Sequence, residues 1–142
     1  MQNWQHFADS SFALGFQYPR TTPQGHTVEK AESQGDEWVR VHFTSKDSRE
    51  LYFEITKYFD LRAQVEYQRH RAFLQESLEQ FSISVLKEIH WMSQSAYEYS
   101  FKWEQGARVV ILLESDHTTY RILYDPYSPL NARILSTLQW TA

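Results

Sequence analysis

Alternation of apolar and polar positions predicts a run of β-strands along this chain. In "SFALGFQYP", Phe12, Leu14 and Phe16 alternate with Ala13, Gly15 and Gln17. That pattern is a half-buried strand, ended by Pro19 because proline cannot continue a ladder. "RTTPQG" reads as a turn on its Pro and Gly. "HTVEKAESQ" has only Val28 as a large apolar residue and predicts a short strand closed at Gln34–Gly35–Asp36. "EWVRVHFTS" and "ELYFEITKY" form the clearest pair. Val39, Val41 and Phe43 share one face of the first, and Leu51, Phe53 and Ile55 share one face of the second. Residues opposite each other share a sheet face, so paired numbers must sum to an even value. A three-residue loop Lys46–Asp47–Ser48, closed by Ser45 and Arg49, meets that condition. It would set Arg40 opposite Glu54 and His42 opposite Tyr52.

A single long helix follows, placed over Leu61–Gln80 with Asp60 as its cap. Its apolar members are Leu61, Val65, Ala72, Phe73, Leu74, Leu78 and Phe81, with Leu74, Leu78 and Phe81 expected as the buried stripe. "SISVLKEIHW" is then a strand by its β-branched content. In "AYEYSFKW" the rings of Tyr97, Tyr99, Phe101 and Trp103 alternate with polar positions. Gln105–Gly106 turns the chain into "ARVVILLES", which is apolar on both faces and reads as a central strand. Asp116–His117 turns it again into "TYRILYD".

"YDPYSPLNARIL" combines an Asp, a Ser and two Tyr/Pro pairings, yet it reads as punctuation. Asp125–Pro126 stops a strand, Ser128 stands where a helix cap belongs, and Pro129 takes the first helical position. Leu130, Ile134 and Leu138 give the short helix its apolar stripe. The class that follows is α+β: a mainly antiparallel β-sheet of about six strands, flanked by one long central helix and a short C-terminal helix. No linker or repeat divides residues 1–142, so one domain is expected.

The two ends of the chain carry a resemblance. "FALGFQYPRTTPQ", with Phe12, Leu14, Phe16 and Pro19, and the closing stretch from Tyr120 to Trp140 resemble the PsbP/DcrB-like superfamily. The resemblance covers the order of elements over almost the whole chain. It implies an antiparallel sheet with helices packed on its faces. It also implies mainly non-enzymatic roles, among them photosystem assembly, regulation of nuclear import and chaperoning of secreted effectors. No catalytic residue common to that superfamily exists to be carried over.

Composition narrows the chemistry. The 142 residues include no Cys, which excludes disulfides, thiolate metal centres and thiol nucleophiles. Five Trp, nine Tyr and nine Phe favour a sheet-rich protein, since rings have high β-propensity. A net charge of −4 speaks against nucleic acid, which needs a basic surface. The local basic run around Arg62, Arg69, His70 and Arg71 reads as a solvated helix face. The start at Met1 shows no secretory signal and no apolar run approaches a bilayer span, so a cytoplasmic location is expected and no membrane. A chain trimmed of its leader would read the same.

None of the six His forms a short metal-binding spacing, and neither a phosphate-cradling Gly loop nor a Ser elbow occurs. Glu98 and Glu114 are a pair of carboxylates that a sheet could bring together, as many sheets do. Hence no enzyme activity, cofactor or metal is expected. The feature with functional content is the second face of the strand pair: Trp38, Arg40, His42, Tyr52 and Glu54. If the helix covers only part of that face, these side chains form a partner-binding patch of the residue types that anchor interfaces. If it covers all of it, Trp38 is ordinary core. The first expectation is therefore a non-enzymatic protein-interaction module, binding another protein or a second copy of itself. The alternative is a small-ligand carrier with its pocket between the long helix and the aromatic sheet face. A filled interior would favour the first, and a sizeable lined cavity the second.

Overall fold

The computed structural model describes residues 4–46 and 51–141. Their frame is an antiparallel sheet in the order β3-β4-β5-β10-β9-β8-β6, with β7 also paired to β8. These strands are β3 (Val28–Gln34), β4 (Trp38–Ser45), β5 (Tyr52–Phe59), β6 (Phe81–Ile83), β7 (Lys87–Trp91), β8 (Gln94–Trp103), β9 (Gly106–Ser115) and β10 (Thr118–Tyr124). A second, three-stranded sheet joins β1 (Trp4–Phe7), β2 (Leu14–Pro19) and β11 (Gln139–Trp140) in the order β1-β2-β11. The helices are α1 (Ala63–Ser77) and α2 (Pro129–Ser136). Two of the hairpins close with both central residues at positive φ, Met92–Ser93 (54° and 61°) and Asp116–His117 (45° and 64°). Paired positive φ values match the right-handed twist of the flanking strands.

Each face of the large sheet has its own core. On one face Val41, Phe43, Phe53, Ile55, Ile111 and Ile122 pack against Leu14 and Phe16 of the small sheet, Phe12 just before it, and Leu130 and Ile134 of α2. Lys57 and Tyr120 fasten that layer: the Lys57 ammonium donates to the Ser11 carbonyl at 2.7 Å, and the Tyr120 hydroxyl donates to the Phe12 carbonyl. Burial lowers the Lys57 pKa, with Asp9 working against it. On the other face Tyr99, Phe101, Val110, Leu112 and Leu123 pack against Ala63, Tyr67 and Leu74 of α1.

The α+β class and the antiparallel sheet stand as read, while the described residues form eleven strands in two sheets rather than about six in one. β1 and β11 are four and two residues long, too short for alternation to show. "SISVLKEIHW" is broken at Ser84–Leu86 into β6 and β7, both paired to β8. Ser84 bridges the break, its N–H donating to the Ser100 carbonyl at 2.9 Å and its hydroxyl accepting from the Ser100 N–H. The β4–β5 register has the expected parity but is shifted by two residues. Arg40 faces Thr56, His42 faces Glu54 and Thr44 faces Tyr52. An even shift preserves the faces, so parity sets the sides without setting the pairs. The loop expected at Lys46–Asp47–Ser48 and closed by Arg49 runs into residues 47–50, which lie outside the described ones.

The α2 cap is as read: Ser128 Oγ accepts from the Asn131 N–H, with Pro129 beginning the helix. The α1 cap is not. Asp60 sits at φ 55° in the preceding turn, and Arg62 occupies the cap position without a side-chain bond. The first helical N–H, that of Ala63, is satisfied by Glu114 Oε2 of β9 at 2.8 Å. The buried stripe of α1 also differs. It is Ala63, Glu66, Tyr67, His70 and Leu74, whereas Val65, Ala72 and Phe73 are exposed and Leu78 is half-buried at the helix end. His70 thereby leaves the basic surface run and turns inward.

Leu74→Ala is therefore the truncation on this helix that destabilises most, by about 2–4 kcal/mol, with Leu78→Ala costing less because it empties a half-open site. Urea midpoints in the reverse order would show that α1 is rotated from this placement.

Candidate functional site

On the helix-bearing face, strand pairing sets the side chains in cross-strand rows. One row runs His42, Glu54, Leu123, Val110 and Tyr99; the next runs Arg40, Thr56, Arg121, Leu112 and Tyr97. α1 packs on the β8–β9–β10 part, so the polar residues of β4 and β5 lie at its margin.

Arg121 occupies the middle of this face. Its Nη1 bonds Glu66 Oε2 of α1 at 2.9 Å and its Nη2 bonds Glu54 Oε1 of β5 at 3.2 Å. Arg40 joins through its Nε, 3.5 Å from the same Glu54 oxygen and 2.8 Å from Thr56 Oγ1. Burial acts to lower the Arg121 pKa, but Tyr58, Glu66 and Glu54 outweigh it and the group is held charged. Burial raises Glu66, with Arg121 opposing. One turn further along α1, His70 Nδ1 shares a hydrogen bond with the Tyr99 hydroxyl. Burial, aided by Arg121, pushes His70 down to about 3, and burial raises the Tyr99 phenol. A neutral His bonded to a neutral Tyr satisfies both polar groups within the core.

Beyond this network, the C-terminal half of α1 and the sheet enclose a cleft of about 710 Å³. Phe73, Leu74, Ser77 and Leu78 form one wall, Phe101, Trp103 and Leu123 the other, and Arg40, Tyr52, Glu54, Arg108 and Arg121 the polar side. Arg108 lies over two rings, 4.6 Å from the Tyr52 centroid and 5.1 Å from that of Trp103. Burial, with Glu54 adding, raises the Tyr52 phenol. A smaller hollow of about 320 Å³ adjoins and shares Arg40, Thr44, Tyr52 and Glu54. His42 lines it with a buried Nδ1 that has no partner among the described residues. A third hollow, of about 480 Å³ beside Val65, Tyr67 and Leu86, has no charged group in its lining.

Of the five residues read from the sequence as a patch, Arg40, Tyr52 and Glu54 line the cleft and His42 lines the hollow beside it. Trp38 is set apart. It belongs to neither core, is half-buried, and lies under the Arg40 guanidinium at 4.9 Å. Gly35 makes room for it, since a Cβ there would stand 2.5 Å from the indole nitrogen. Glu98 and Glu114 project from opposite faces of the sheet and do not meet: Glu98 pairs with the inward Ile111, whereas Glu114 follows Leu112 on the helix side. Sequence reasoning missed Arg108, Arg121, Glu66 and His70. The available signal was a lone Arg within each of the apolar runs "ARVVILLES" and "TYRILYD", which a buried strand tolerates only when the charge is paired.

Removing Glu66 leaves Arg121 under-paired in the interior. Glu66→Leu is expected to cost about 3 kcal/mol, and Glu66→Leu/Arg121→Met to recover part of it. Additive losses in a double-mutant cycle would deny the coupling. The His70 value lies below its ordinary 6.5, so its contribution is present above pH 6.5 and is lost as pH falls toward about 3. Glu66, raised, acts oppositely through the carboxylate range. In His70→Gln the pH slope of unfolding free energy between 6.5 and 4 should flatten by up to roughly 1.4 kcal/mol per unit. Parallel slopes for the two proteins would contradict a buried neutral His70.

No protein-family profile matches the chain, and no curated protein matches it by sequence. Among solved structures it is similar to cyanobacterial PsbP (CyanoP) from Synechocystis sp. PCC 6803. The TM-score is 0.69 at 11% identity, covering 99% of this chain and 94% of that one. At such identity the likeness concerns the path of the backbone and not the side chains of the cleft. The expectation raised by the two ends of the sequence holds at that level: the chain has a PsbP-like fold.

Proposed function

We propose that this chain is a non-catalytic binding module whose working part is the cleft between α1 and the aromatic sheet face, and that it takes up a small ligand there. The observation that supports this is the cleft itself. Its volume of about 710 Å³ falls within the roughly 300–1,000 Å³ usual for ligand sites, and its apolar walls converge on a few polar groups. His70, which lines the cleft, is neutral and bonded to the buried Tyr99, which favours binding over acid–base chemistry.

A second reading is supported by the exposure of Phe73 (61%) and Tyr52 (38%) at the cleft margin. In it, a partner protein docks across the β4–β5 face, with Trp38, Arg40, His42, Tyr52 and Glu54 as anchors. The two readings separate by truncation. If the cleft is the site, amide and methyl shifts produced by small apolar probes concentrate on Phe73, Leu74, Leu78, Phe101 and Trp103, and Trp38→Ala leaves them unchanged. If the face is the site, Trp38→Ala keeps the fold and abolishes partner capture, with losses of about 2 kcal/mol or more. Probe shifts scattered away from the cleft would refute the first reading.

A further inference from the structure

The guanidinium groups around the cleft keep unused N–H donors, and these specify a ligand class. Three guanidinium groups, Arg40, Arg108 and Arg121, line it beside Glu54, with Glu66 and Asp125 behind as further ion-pair partners. Arg121 is occupied, since two carboxylates take its two terminal nitrogens. Arg40 and Arg108 each lie within ion-pair distance of one carboxylate, Glu54 and Asp125, but do not use all their N–H groups on it. Both polar contacts of Arg40 run through Nε, so its terminal nitrogens are left without a partner among the described residues. Arg108 donates one bond, from Nη1 to the Ala107 carbonyl at 2.7 Å. The carboxylate nearest to it, Asp125, stands 3.9 Å away and already accepts from the Tyr127 N–H through its other oxygen. The rings of Tyr52 and Trp103 hold the Arg108 guanidinium in place, which reduces the ordering cost of using it.

Resting on the cleft reading above, we propose that the ligand is a small amphipathic carboxylate. Its apolar body lies between Leu78 of α1 and the Phe101 and Trp103 rings, and its carboxylate meets the guanidinium groups of Arg108 and Arg40 at the polar side. A guanidinium presents paired N–H groups whose spacing matches the two oxygens of a carboxylate. A neutral ligand would cover these charges without satisfying them, and a cation would be repelled by them. The apolar walls, in turn, give a bare inorganic anion little to bury.

Calorimetric titration with decanoate, decan-1-ol and decylammonium holds the tail constant and varies only the head. Decanoate should bind the wild-type protein roughly tenfold or more tightly than decan-1-ol, with decylammonium weakest. Arg108→Gln/Arg40→Gln should bring decanoate to within about twofold of decan-1-ol while leaving the alcohol unchanged. Leu78→Trp should remove all three by filling the cleft, and Ser77→Trp repeats the block from an exposed position in case the first variant does not fold. Equal binding of the three heads, still abolished by the block, overturns the carboxylate inference and leaves the cleft reading standing. A decanoate preference that survives loss of both arginines also overturns it. Absence of binding by every probe overturns the cleft reading and this inference together.

Discussion

A guanidinium buried between two carboxylates from different elements fixes how the helix sits on the sheet. Arg121 comes from a central strand, Glu54 from the neighbouring strand and Glu66 from the first turn of α1. A pair of this kind adds little net stability, because desolvation offsets most of the attraction. Its influence is directional. Any placement of α1 that separates Glu66 from Arg121 leaves charge unpaired in the interior, which costs several kcal/mol. Rotation of the helix about its axis is restricted in consequence, and a stripe containing Glu66 and His70 is turned inward ahead of the more apolar one containing Val65 and Phe73. Tyr99 completes the arrangement by accepting His70 as a neutral partner. Glu114 holds the helix start.

The two faces of the large sheet are thus built on different physics. The face under β1, β2, β11 and α2 is an aromatic and aliphatic layer, with Phe16 stacked on Phe7 at 4.9 Å and Tyr18 on Phe43 at 4.5 Å. Close packing there leaves room only for well-fitted side chains. The face under α1 combines apolar contacts with paired charges, and one helix cannot cover the width of the sheet. The uncovered margin falls over β4 and β5, where the outward residues are Trp38, Arg40, His42, Thr44, Tyr52 and Glu54. Polar residues there, with Arg108 of β9 and Arg121 of β10, and apolar residues on β8 and α1 give the cleft its two characters. The fold shared with cyanobacterial PsbP positions the helix over the sheet. The arginines that set the charge of the cleft belong to this sequence, and a fold by itself does not assign what such a cleft receives.

Much of the architecture is legible along the chain because it follows from local chemistry. Alternation located β2, β4, β5 and β8, the twofold side-chain period assigned Val41 and Phe53 to one face and Arg40 and Glu54 to the other, and Ser128–Pro129 marked the start of α2. Three residues of the cleft lining, Arg40, Tyr52 and Glu54, were singled out on that basis alone. What the chain could not disclose depends on residues distant in sequence. The α1 cap lies 51 residues away at Glu114, so Asp60 was the natural local choice. The inward face of α1 is polar, and it is acceptable only because Arg121 and Tyr99 wait beneath it, 55 and 29 residues further on. The β4–β5 pairing slipped by two positions because parity constrains faces but not register. Local pattern determined the elements and their sides. The tertiary structure decided which buried charges meet, and therefore where the helix rests and where the cleft opens.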